Sequence, residues 1–111
     1  MDRDAGVLLD ILLAVRDIRE FVSGFDRVAF EKDRKTQAAV LHQFTIIGEA
    51  VRRLSEPFRQ AHPQVPWAQI AGMRNRLIHE YERVDLAEVW NAVARDVPEL
   101  IRAVDPLVDK Q

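Results

Sequence analysis

The sequence predicts an all-α fold, an antiparallel bundle of four to five helices within a single domain spanning residues 1–111. Two features carry that prediction. Apolar residues recur at spacings of three and four in several long stretches, which is the stripe of an amphipathic helix, while no stretch of useful length alternates as a strand would. Ser23-Gly24 and the prolines Pro57, Pro63 and Pro66 fall between these stretches, where helices stop.

The first stripe is Leu8, Ile11, Val15, Ile18 and Val22, and Ser23-Gly24 ends it. A second long helix is expected from about Asp33 to Leu54, with Ala39, Val40, Phe44, Ile47 and Val51 on one side. Pro57, Pro63 and Pro66 then surround a short helical piece. Pro66 suits the start of the next helix, where a missing amide proton is tolerated. That helix is expected to carry Trp67, Ile70, Met73 and Leu77 and to continue through residues 74–81. A last helix begins near Asp85, whose carboxylate can cap it, and runs through Leu86, Val89, Trp90 and Val93 towards Ile101 and Val104, bent or divided by Pro98.

Gly48 and Gly72 fall inside these expected helices, where glycine costs about 1 kcal/mol relative to alanine. A close approach of two helix backbones would account for both, with Ala50, Ala68 and Ala71 extending a narrow contact; a hinge near residues 74–81 is the alternative.

Composition excludes several classes of protein. A chain of 111 residues with 48% hydrophobic and 31% charged residues is ordinary for one globular domain rather than for disorder. There are no cysteines, so disulfides and thiolate metal sites are ruled out. Asp10, Arg16 and Asp17 interrupt the leucine-rich beginning, nothing reaches transmembrane length, and a cytoplasmic location is the simplest expectation. The net charge of −2 conceals a division along the chain. Six arginines (52, 53, 59, 74, 76 and 83) stand against three acids between residues 52 and 83, so this segment is basic between acidic flanks. It is the candidate phosphate-attracting region.

Residues 74–81, Arg-Asn-Arg-Leu-Ile-His-Glu-Tyr, lie inside it. His79 can move a proton near neutral pH, and Arg74 offers a fixed, permanently charged fork that matches phosphate oxygens. On an ideal helix each residue advances by about 100°, so Arg74 and Tyr81 share one face and Asn75 and His79 another. Arg74 and His79 are then about 140° apart and do not converge on one small ligand. An arginine folded around the ligand, or a loosened helix near His79, would bring them together. So would a twofold dimer packed through this helix, in which the Arg and His of each copy face a shared cleft.

Arg-x4-His alone is a weak signal. Together with Ile46-Ile47-Gly48-Glu49-Ala50, Val65-Pro66-Trp67, Ile70-Ala71-Gly72-Met73-Arg74-Asn75, the His79-x-Tyr81 pair, Val84-Asp85 and Val89-Trp90, it resembles the HEPN superfamily and, within it, the HepT-like branch. The likeness covers most of the chain after residue 36. The resemblance implies the toxin of a type VII-like toxin-antitoxin pair: a homodimeric, metal-independent endoribonuclease with Arg74 and His79 catalytic and Asn75 supporting. It also implies that a cognate nucleotidyltransferase antitoxin transfers AMP to Tyr81, placing bulk and negative charge in the RNA cleft. RNA, a second copy and that antitoxin are thus the expected partners, with no membrane, cofactor or metal.

Plainer roles compete at each position. Arg76 reads as a surface arginine paired with Glu80 four residues on, His42 as a helix-face residue, His62 as a loop residue, and Tyr81 as a half-buried phenol. At the level of the whole protein, the alternatives are a non-catalytic HEPN nucleotide-binding or adaptor subunit of a nucleotidyltransferase complex, and a plain helical dimerisation module.

Overall fold

Leu8, Ile11, Val15 and Ile18 are fully excluded from solvent, as their placement on one helix face requires. They belong to α1, Arg3–Phe21, in a computed structural model that describes residues 3–78 and 83–109. Beyond Phe21 the chain turns at Gly24, whose φ of 81° lies in the left-handed region that a side chain disfavours. A short helix that the stripe pattern does not reveal follows, α2 (Arg27–Lys32), capped by the Asp26 carboxylate on the Ala29 amide. Its anchor is Phe30, fully buried and packed 5.4 Å from the ring of Trp90.

The long central helix α3 spans Arg34–Arg53. Asp33 caps it by accepting from the Thr36 amide, and Val40, Phe44, Ile47 and Val51 are buried along one side. Ser55 then caps α4 (Glu56–Ala61), with a proline in the first turn where no amide donor is needed. Asp4, at the start of α1, accepts hydrogen bonds from the Ser55 amide (2.8 Å) and hydroxyl (2.7 Å), and Asp10 pairs with Arg53. The start of α1 therefore meets the end of α3, and the two helices run antiparallel.

The next expected helix differs from its pattern. It is two short pieces, α5 (Trp67–Ala71) and α6 (Met73–Leu77), separated by Gly72. The final rod begins as α7 (Leu86–Asn91), capped by Asp85 on the Glu88 amide, passes through a π-helical turn at Ala92–Asp96, and continues as α8 (Val97–Asp109). Pro98 marks this division. It has no amide to give to an i−4 carbonyl, and the turn before it widens so that the Val97 amide bonds to Ala92.

With α5–α6 and α7–α8 taken as bent rods, four major rods pack around one core, and α2 and α4 are short additions. The core runs from Leu8 and Ile11 through Phe44 and Ile47 to Leu77, Val89, Val97 and Val104. No helix among the described residues is long and apolar enough to cross a membrane.

Candidate functional site

The break at Gly72 governs the site. In an unbroken helix the Asn75 amide would bond to the Ala71 carbonyl, but here it donates to the Gly72 carbonyl at 3.1 Å. The Ala71 carbonyl instead accepts from the Arg52 guanidinium of α3 at 2.9 Å. Gly48, one turn before Arg52, explains how α3 comes so near. A β-carbon at Gly48 would lie 3.1 Å from the Ala71 oxygen, so the close approach expected at Gly48 is present. Gly72 plays a different part. It lies outside the helices as the junction between them, at φ −90°, and no backbone crowds it closer than 3.5 Å.

On α6, Met73 and Leu77 are buried, while Arg74, Asn75 and Arg76 are exposed. Arg76 bridges two acids of the last rod: its NH2 group is 2.9 Å from Asp96 and its Nε 3.8 Å from Glu88. Among the described residues these are its partners, in place of the i+4 pairing with Glu80 expected from sequence; Glu80 lies outside the described residues. The stretch before the loop is thus tied to the stretch after it.

Helix α6 stops at Leu77. Ile78 is extended (φ −119°, ψ 115°) and pairs with Val84 in an isolated antiparallel bridge, and the Asp85 amide donates to the Leu77 carbonyl at 3.0 Å. The picture of one straight helix through residues 74–81 is therefore corrected, and the 140° separation worked out on that helix no longer applies. The cause is a pairing across the loop, between positions that no local spacing connects. Residues 79–83 link the two arms of this bridge. Two site residues expected from sequence, His79 and Tyr81, lie outside the described residues. Arg74 and Asn75 are brought together on α6, at the foot of that loop.

The basic segment also resolves into parts. Arg53 pairs with Asp10, Arg76 with Asp96 and Glu88, and Arg52 with a neutral carbonyl, so the excess of arginines does not form one undivided patch. Among the described residues Arg74 and Arg83 make no ion pair and are exposed. The remaining histidines have modest roles. His42 is exposed on α3, and the ring of His62 lies tilted against Phe58 at 4.5 Å while its carbonyl accepts from the Trp67 indole. Among the described residues no group of His, Asp and Glu side chains is arranged to hold a metal ion.

A shallow groove of about 230 Å³ lies on the other side of α5–α6, against α8, with Met73, Arg76, Asp96 and Leu100 in its walls. Arg74 is about 160° around the helix from Arg76 and faces away from it. Two acids at its rim, Asp96 and Glu99, also make it a poor seat for a polyanion.

Sequence reasoning missed the Arg52–Ala71 contact and the acidic partners of Arg76. The signals present for them were Gly48 one turn before Arg52, and Glu88 and Asp96 on one rod two turns apart.

Fold and site together define an all-α domain that presents an exposed Arg-Asn pair on a braced, one-turn helix that ends where Ile78 bridges to Val84. The ribonuclease HepT-like family model matches residues 11–107. A Thermococcus cleftensis protein named "Probable ribonuclease HepT" is 41% identical over 93 residues, covering 84% of this chain and 84% of its own length. A Methanocaldococcus jannaschii protein named "Putative RNase MJ0127" is 39% identical over 101 residues, covering 91% of this chain and 84% of its own. No solved structure matches. The chain belongs to the HepT-like ribonuclease family.

Proposed function

We propose that this chain is a ribonuclease toxin that cleaves RNA at a composite site of Arg74 and His79 shared between two copies, and that AMP transfer to Tyr81 by a nucleotidyltransferase antitoxin silences it. The observation that carries the reading is Arg74, exposed on a helix fixed from both sides and unpaired among the described residues, in a chain of a ribonuclease family.

The chemistry follows from the residue types. Neutral His79 takes the proton of a ribose 2′-hydroxyl, whose oxygen attacks the adjacent phosphorus. The bond to the 5′-oxygen breaks, that oxygen takes a proton from water, and the imidazolium returns its proton to the hydroxide so formed, so each site needs one Arg74 and one His79. The products are a 2′,3′-cyclic phosphate and a 5′-hydroxyl. Arg74 stabilises the charge that grows on the non-bridging oxygens, and Asn75 orients the phosphate or the imidazole. The nucleophile comes from the substrate, so no metal-bound water is required and DNA is not cut. Silencing uses ATP: the Tyr81 oxygen attacks the α-phosphorus, pyrophosphate leaves, and the AMP now on Tyr81 repels the RNA backbone.

The test uses purified protein and a defined RNA oligonucleotide. Cleavage is expected to end in a cyclic phosphate by mass, to persist in EDTA, and to disappear in Arg74→Ala and His79→Ala. Mixing the two inactive variants is expected to restore about a quarter of wild-type activity, because random exchange yields hybrid dimers with one intact site. Full activity in His79→Ala rejects the mechanism, and no recovery on mixing rejects the shared site. Incubation with the partner and ATP is expected to add one AMP to the wild type and none to Tyr81→Phe; an equal gain on both rejects Tyr81 as the acceptor.

A further inference from the structure

The geometry points to Arg52 as a second phosphate-binding residue beside Arg74, one that holds the backbone of the same RNA strand. This rests on the reading of the chain as an RNA-binding ribonuclease. Three observations carry it. First, Arg52 is exposed and, among the described residues, no carboxylate neutralises it, whereas neighbouring Arg53 is paired with Asp10. Glu49, one turn earlier on the same helix, is also exposed but forms no ion pair with it.

Second, the side chain is held in place. Its NH2 group donates to the Ala71 carbonyl at 2.9 Å, a neutral acceptor that leaves the full charge available. An arginine has five N–H donors in a planar fork, and this bond occupies one of them. The carbonyl itself is fixed, since it is the group released by the break at Gly72 and it rests against Gly48. An arginine fixed in this way loses less freedom on binding an anion than one that waves in solvent.

Third, Arg52 is anchored next to Arg74. Ala71 precedes Arg74 by three residues across the Gly72 junction, so at most about 11 Å of chain separates the two anchor points. That bound spans about three phosphates at the roughly 3.4 Å axial spacing of one nucleic-acid strand. Two guanidiniums rooted so closely can take adjacent phosphates, with Arg74 at the reacting phosphate and Arg52 at its neighbour. Arg52 supplies affinity and register, not chemistry.

Salt dependence separates this role from a purely structural one. We would measure binding of a 2′-O-methyl RNA oligonucleotide, which cannot be cleaved, by fluorescence anisotropy from low to moderate KCl. The proteins are the wild type, Arg52→Ala, Arg52→Lys and, as a control on α8, Arg102→Ala. Each phosphate contact on a single strand contributes about −0.7 to the slope of log K against log salt. Arg52→Ala is expected to weaken binding about tenfold at low salt and to make the slope shallower by about 0.7. Arg52→Lys should keep the wild-type slope, and Arg102→Ala should match the wild type throughout. An unchanged slope in Arg52→Ala overturns the inference even if affinity falls, because a lost strut removes no counterion release. An equal change in Arg102→Ala overturns it too, as general charge would then suffice. Cleavage of the unmodified RNA is measured in parallel. A wild type that binds with the expected slopes but cuts nothing refutes the ribonuclease reading and leaves Arg52 supported.

Discussion

Alanine at Gly48 and alanine at Gly6 are the same substitution in the same kind of element, yet the structure predicts opposite effects. Gly6 lies within α1, and a β-carbon there meets nothing within 4 Å. Gly6→Ala should therefore gain stability, about 0.5–1 kcal/mol, from the lower entropy of the unfolded chain. Gly48→Ala starts from the same gain of about 1 kcal/mol in helix propensity. Its new β-carbon, however, lies 3.1 Å from the Ala71 oxygen, a backbone atom rather than the tip of a flexible side chain. That oxygen is held by Arg52 and lies at the α5–α6 junction, so relief requires α3 and the junction to part by a few tenths of an ångström. Overpacking of this kind costs about 1–3 kcal/mol. The net effect at Gly48 is a loss of up to about 2 kcal/mol, which places the two variants about 1–3 kcal/mol apart. Urea unfolding of both, compared at constant m, gives the numbers directly. If Gly48→Ala is as stable as Gly6→Ala, the backbone contact does not constrain the packing, and α6 is not braced from behind in the way described.

Three further outcomes are expected. Hydrogen bonds from the Ser55 hydroxyl and then its amide hold the Asp4 carboxyl below the usual carboxylate range; with the folded value lowered, the stability it adds is present above about pH 4 and lost as pH falls through the folded value. Asp4→Asn should thus be less stable than the wild type at neutral pH and converge with it in acid, as read by thermal melts across pH; a constant gap between them would exclude the linkage. Phe30→Ala, emptying a fully buried site against Trp90, should cost about 3–5 kcal/mol by urea unfolding, whereas Phe30→Leu should cost clearly less; equal losses would mean that ring packing does not hold α2. Arg76→Met, which removes two half-exposed ion pairs, should cost less than about 1 kcal/mol, and a larger loss in the same assay would show that Asp96 and Glu88 depend on Arg76 beyond screened attraction.

The long helices were legible because each buries one face for its whole length. Leu8, Ile11, Val15 and Ile18 on α1, and Val40, Phe44, Ile47 and Val51 on α3, are all buried as their spacing required. Elements below two turns leave no such stripe. α2 has six residues and one buried anchor, Phe30, so no stripe marks it. Pro98 signalled the division of the last rod, but a π-helical turn as the way of absorbing it cannot be read from a proline alone. The site was legible in residue type and not in shape. Arg74 and Asn75 sit exposed on the helix where their neighbours Met73 and Leu77 are buried, as the apolar spacing implied. The end of that helix is set by Val84 meeting Ile78, a tertiary contact that propensity within residues 74–81 does not contain.

The two breaks, at Gly72 and after Leu77, give the motif its physical meaning. A long continuous helix would hold Arg74 stiffly but keep residue 79 on another face. Ending the helix at Leu77 leaves a one-turn helix with too few internal hydrogen bonds to stand alone. The fold supplies what the short helix lacks. Met73 and Leu77 anchor it in the core, Arg52 and Gly48 hold its N-terminal junction against α3, and Arg76 ties it to α7 and the π-helical turn. The braces on the two sides differ in kind. The α3 side is a backbone contact with one charge left over, while the α7 side is a neutralised pair. Among the described residues neither Arg52 nor Arg74 is paired with a carboxylate, whereas Asp96 and Glu88 lie against Arg76 on the opposite side of α6.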